Sequence, residues 1–118
     1  MRRAKRKAAR TAKVGATNAV TRSDGVPRQF QLAGHTIKVK VIPPSKWRHG
    51  KNYVGMWLPD KYEIHIVSSC KGTNRQQVWA HEAVHALLDV AGHDDLSRQE
   101  QLVDRLGHLL QQMLTTME

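Results

Sequence analysis

A chain of 118 residues with 40% hydrophobic side chains is enough for one domain and a modest core that needs no disulfides. The single cysteine, Cys70, excludes an internal bridge and fits a reducing, cytoplasmic setting, and no apolar run approaches the ~20 residues of a bilayer span, so no membrane partner is expected. The net charge of +9 is uneven: residues 1–23 carry eight of the nineteen Lys and Arg and none of the ten acids.

Residues 1–25 read as a flexible basic arm. Their Arg, Lys, Ala and small polar residues offer too little apolar area to offset the entropy of ordering. Arg2, Arg3, Lys5, Arg6, Lys7, Arg10 and Lys13 form a cationic run suited to nucleic acid or another polyanion; a solubilising tail is the plainer alternative. The basic start has no hydrophobic segment after it, as a signal peptide would need, and no bulky face, as a mitochondrial presequence would need. The arm is expected to be separable from the chemistry of the rest.

A domain over 26–118 follows. "RQFQLAG" and "HTIKVKVIPP" read as two strands around a turn at Ala33-Gly34-His35, with Ile37, Val39 and Val41 alternating against Lys38 and Lys40. "SKWRHGKN" reads as a polar loop with an exposed Trp47. "YVGMWLPDKYEIHIVSS" reads as a second hairpin turning at Pro59-Asp60-Lys61, with Tyr62, Ile64 and Ile66 on one face and Glu63 and His65 on the other. Two helices come next. Thr73 with Gln76 predicts a capping box for the first, and Gly92 its end. Ser97 with Glu100 predicts another box, opening a helix with Leu102, Leu106, Leu109, Leu110, Met113 and Met117 on one face. Strands followed by helices predict an α+β class: a small antiparallel sheet of two hairpins, with both helices on one face.

The first helix carries "VWAHEAVHALLDVAG". His81 and His85, four apart, are neighbours on one helical face and can both direct a ring nitrogen at one cation. Glu82 lies roughly 100° round the helix from His81, off the cation but within reach of a water that the cation activates. Two ligands and a base are what hydrolysis by such a water requires. Without metal, two polar rings beside Val84 and Leu88 would need other partners.

A third ligand must come from further along. The metzincin positions beyond His85 are here Leu88 and Ala91, and no His-Gly pair of the SprT kind follows. His93, Asp94, Asp95, Glu100 and Asp104 remain. Asp104 lies roughly 40° further than Glu100 from the apolar stripe of the last helix, so Glu100 comes nearer to the histidines. Glu100 serving only as a cap, and His93 curling back past Gly92, are the other readings.

"VWAHEAVHALLDVAG" followed by "LSRQEQLVDRLGHLLQQML" resembles the gluzincin clan of zinc metallopeptidases, over about residues 53 to 115. The nearest likeness is to the minigluzincins and the ImmA/IrrE-like metallopeptidases of phages and mobile elements. The resemblance implies that Glu100 is the third zinc ligand and opens a Glu-x-x-x-Asp stretch with Asp104. It also implies that the substrate is a protein or peptide. The link between the helices is shorter than in ImmA/IrrE proteins, and their downstream helical and DNA-binding parts are lacking.

The expected mechanism has Glu82 accepting a proton from the attacking water and passing it to the leaving nitrogen. Tyr62, His65, His93 or His108 would steady the oxyanion, and Asp89 or Asp104 would orient a ligand imidazole. The strand near Tyr62–Val67 would hold substrate by strand addition. The competing reading is a zinc-stabilised, non-catalytic module that docks on nucleic acid or a larger assembly through the arm.

Overall fold

Alternation of apolar and charged residues from His35 to Ile42 produces the longest strand, and the sheet is built outward from it. The computed structural model describes residues 2–4 and 22–118. The strands are β1 (Arg2–Ala4), β2 (Arg22–Ser23), β3 (Val26–Pro27), β4 (Gln29–Leu32), β5 (His35–Ile42), β6 (Gly55–Leu58) and β7 (Glu63–Val67). The helices are α1 (Thr73–Val90), the single turn α2 (Asp94–Ser97) and α3 (Glu100–Thr116). The main sheet has the order β1-β6-β7-β5-β4, and β2 pairs with β3 apart from it.

Both expected hairpins form. Ala33 (φ 49°) and Gly34 (φ 84°) are both left-handed, which lets a two-residue turn follow the twist of β4 and β5. The sheet is nevertheless mixed, not antiparallel: β5 and β7 run parallel, from Lys38 opposite Glu63 to Ile42 opposite Val67. Residues 43–54 pass one strand position before β6 begins, and β7 turns back to fill the gap. That makes β7 a central strand, so it is not the edge expected to accept a substrate segment. β6 lies on the other side of β7, and β1 pairs along its outer edge with Arg2 opposite Trp57 and Ala4 opposite Gly55.

One face of the sheet carries Ile37, Trp57, Ile64 and Ile66, which close over Val78, Trp79, Ala80, Ala83 and Ala86 of α1. This is the core. Phe30 meets the Trp79 ring edge-on at 6.1 Å, extending the core under β4. Trp47 is half-buried against this cluster rather than exposed, and its indole N–H donates to the Gly50 carbonyl (3.1 Å).

The helix ends differ from expectation in instructive ways. Gly72 (φ 63°) is the N-cap of α1, and the predicted Thr73/Gln76 box does not form. Asp24 does the capping from a distance: its carboxylate accepts the Gly72 N–H (3.2 Å), while its carbonyl accepts Gln76 Nε2 (2.8 Å). At the other end, Gly92 (φ 86°) closes the helix as predicted. Its N–H donates to Asp89 and the His93 N–H to Leu88, the paired bonds of a Schellman motif.

The Ser97/Glu100 box is also absent. Gln99 is the N-cap of α3, with Glu100 its first residue and Ser97 in α2. The predicted apolar stripe of α3 does not turn inward either. Val103 and Gly107 are buried and Leu110 packs on the core, whereas Leu106, Leu109, Met113 and Met117 are exposed. Gly107 explains this orientation. A Cβ there would stand 3.1 Å from His81 Cα and 3.2 Å from His81 N, so α3 presents its smallest side chain where it touches α1 most closely. Most of the expected arm falls outside the described residues; within it, 2–4 and 22–23 are strand, and Asp24 and Gly25 turn against α1.

Candidate metal centre

Helices α1 and α3 run antiparallel across one another. Gln76 accepts from Gln111, Gln77 bonds His108, and His81 lies against Gly107. Glu100 sits two turns before Gly107, on nearly the same face. The close approach at Gly107 therefore delivers the Glu100 carboxylate to the histidines of α1.

His81 Nε2 stands 3.1 Å from Glu100 Oε1, and His85 Nε2 stands 3.4 Å from Glu100 Oε2. The two imidazole centroids are 5.0 Å apart. Among the described residues, His81, His85 and Glu100 form the one group of three with ligand atoms all within 4.8 Å of each other, and it could hold a metal ion. His93, the alternative third ligand, stays outside it and is the N-cap of α2.

The opposite edges of both rings are also engaged. His85 Nδ1 and Ser97 Oγ are 3.0 Å apart in a fully buried contact, and His81 Nδ1 is 3.5 Å from Asp104 Oδ1. With Nδ1–H directed at these oxygens, each ring keeps its Nε2 lone pair for the centre. Such partners hold ligand imidazoles in one tautomer and orientation. Asp104 was legible in the sequence as an orienting acid. Ser97 was missed, because it was read as a helix cap. Its one sequence signal is a small hydroxyl three residues before Glu100.

With ligand bonds of about 2.0–2.1 Å, neighbouring donors in a tetrahedron stand about 3.3 Å apart. Each ring nitrogen has one carboxylate oxygen near that distance, His81 with Oε1 at 3.1 Å and His85 with Oε2 at 3.4 Å.

Glu82 is fully buried between α1 and β6. Gly55 makes room for it: a Cβ at 55 would stand 3.4 Å from Glu82 Oε2 and only 2.4 Å from Val78 Cγ1. A glycine on β6 thus lets that strand ride directly over the motif helix. Asp89 lies one turn beyond His85. Its Oδ2 accepts the indole N–H of Trp57 at 2.7 Å, fastening the C-terminal half of α1 to β6.

The other sequence candidates lie elsewhere. His65 projects from the sheet face opposite α1, alternating with Ile64 and Ile66. There its Nε2 meets Glu63 Oε1 (2.8 Å) and its Nδ1 meets His49 Nε2 (3.0 Å), while Lys40 pairs with Glu63 (2.9 Å). Burial holds the His65 pKa below the usual histidine value, against the pull of Glu63. Tyr62 (φ 55°) stacks on His35, with ring centroids 4.3 Å apart, in the turn between β6 and β7. His108 is exposed beside Gln77 and Asp104. The side chains of Arg2, Arg3, Lys5, Arg6, Lys7, Arg10 and Lys13 lie outside what is described. No helix among the described residues is long and apolar enough to cross a membrane.

No family model, no curated protein and no solved structure matches the chain.

Proposed function

We propose that this protein is a zinc-dependent peptidase, with the ion held by His81, His85 and Glu100 and with Glu82 as general base. The observation that carries the reading is the convergence of two Nε2 atoms on one carboxylate at 3.1 and 3.4 Å, each ring backed at Nδ1 by Ser97 or Asp104. Zinc is preferred among divalent ions because two imidazoles and one carboxylate, with one position left over, are the donors of its hydrolytic sites. When bound, it supplies a Lewis acid that brings the pKa of a coordinated water to about 7.

The chain's own residues do the rest. Ser97 and Asp104 keep the two imidazoles aimed, so that little reorganisation accompanies the reaction. The Glu82 carboxylate accepts the proton of the attacking water and delivers it to the departing amide nitrogen. In support, the Glu82 side chain is buried beside Gly55 of β6. A peptide substrate is inferred from the likeness of α1 and the start of α3 to gluzincins, and from the edge of β6, which pairs with an extended segment of the chain itself.

The test is metal content together with cleavage of an unstructured peptide by wild type and Glu82→Gln. Near one zinc per chain, with cleavage at least ~100-fold slower in the variant, supports the reading. Zinc without turnover in either protein would leave a metal-stabilised binding module. No zinc in the wild type would end both.

A further inference from the structure

The outer edge of β6 is covered by residues of the same chain. β1 pairs with it antiparallel, with Arg2 opposite Trp57, Arg3 opposite Met56 and Ala4 opposite Gly55. β1 also packs against α1. Gly55 is the residue whose missing side chain makes room for Glu82 and Val78. The segment 2–4 therefore runs one strand spacing, about 4.8 Å, outside the strand that roofs the general base.

We propose that the free edge of β6 is a binding site for extended, basic polypeptide, and that residues 2–4 occupy it as a tethered self-ligand that keeps it closed. Identifying the edge as the substrate site rests on the peptidase reading above; its occupancy by residues 2–4 rests on the strand pairing alone. An exposed strand edge offers a row of unpaired N–H and C=O groups, which an added strand satisfies. The segment around it, Met-Arg-Arg-Ala-Lys-Arg-Lys, is basic and acid-free. It is covalently joined to the domain whose edge it occupies, and such a link gives an effective concentration on the order of millimolar. A free peptide must compete with that.

In an antiparallel pair, alternate residues bond the partner strand, so adjacent prolines remove the bond in either phase. Full-length Arg3→Pro/Ala4→Pro should thus open the edge. A fluorescent peptide of residues 1–8 should bind this variant about ten-fold or more tightly than wild type. Outward-facing amides within 55–58 should exchange faster in the variant, and the added peptide should restore their protection. Equal peptide affinity in both proteins, or exchange at 55–58 unmoved by substitution and peptide, overturns the proposal.

A second variant is independent of proline's effect on folding. Arg3→Cys with Met56→Cys should form an intramolecular disulfide under mild oxidation, since directly paired residues fall within disulfide range. The cross-linked protein should exclude the labelled peptide. A folded double variant that does not cross-link counts against occupancy. Zinc measured on the same samples separates the two readings. Strand displacement without metal ends the hydrolase and keeps this site; metal without displacement does the reverse.

Discussion

Ser97 and Glu100 show how one hydroxyl and one carboxylate can be read as a helix cap and act elsewhere. Replacing Glu100 with Gln keeps the shape of the side chain but removes its charge. Zinc affinity is therefore expected to fall by at least ~100-fold, while thermal stability of the metal-free protein changes little, as Gln99 rather than Ser97 caps α3. Competition titration with a chelator, beside a melting curve, measures both. His93→Ala is the control and should leave affinity unchanged. Ser97→Ala removes the oxygen at 3.0 Å from His85 Nδ1 and should cost about 10–100-fold in affinity, the usual range for a partner behind a ligand imidazole. Ser97→Thr should recover most of it, a rescue that a merely space-filling role would not predict.

At the scale of the elements, the contact between α1 and α3 decides whether a third ligand exists. It is set at Gly107, where a methyl group would press on the backbone of His81. Gly107→Ala gains about 1 kcal/mol in helix propensity but meets backbone that cannot step aside, and overpacking of this kind costs about 1–3 kcal/mol. The expected outcome is a slightly lower melting temperature with a disproportionate loss of zinc affinity, because α3 moves and carries Glu100 with it. Gly107→Val should be worse on both counts. Unchanged affinity in a folded Gly107→Val protein would show that Glu100 reaches the histidines without the close helix contact.

On the scale of the whole molecule, one face of the sheet makes stability depend on pH. On the face away from α1, burial pushes both His49 and His65 below the ordinary histidine value, and each also feels nearby positive charge. A histidine depressed in the folded state takes up its proton more readily in the unfolded chain. Their contribution to stability is thus fully present above about pH 6.5 and declines as pH falls below it. Urea midpoints in chelator, which removes the metal site from the comparison, should drop between pH 7.5 and 5.5. The drop should be smaller in His65→Gln. Charge in the segment 1–13 should show separately: binding to a random DNA duplex should weaken with salt along a logarithmic slope of up to about −6, and should vanish when its seven basic residues become Ser.

Much of the candidate site was present in one dimension. The i, i+4 spacing of His81 and His85, the adjacent Glu82 and the alternation around Ile37 and Ile64 depend on local helical and strand periodicity, which the sequence carries by itself. So do the hairpin turn at Ala33-Gly34 and the helix stop at Gly92, because each puts a glycine where left-handed backbone is needed. Glu100 was placed from an apolar stripe that the fold does not bury, so its position beside the histidines needed the packed helices. The rest required distances between elements. Whether β7 lies beside β5 in parallel, whether Asp24 caps α1 from 48 residues away, and whether β1 covers the edge of β6 are choices among pairings that local patterns leave equivalent. The orientation of α3 is the sharpest case. Its large apolar residues predicted one buried face, and the fold buried another, because two helices approach where the side chains are smallest. Only the packed molecule brings Gly107 against His81, and with it Glu100 to the two histidines and Ser97 to His85.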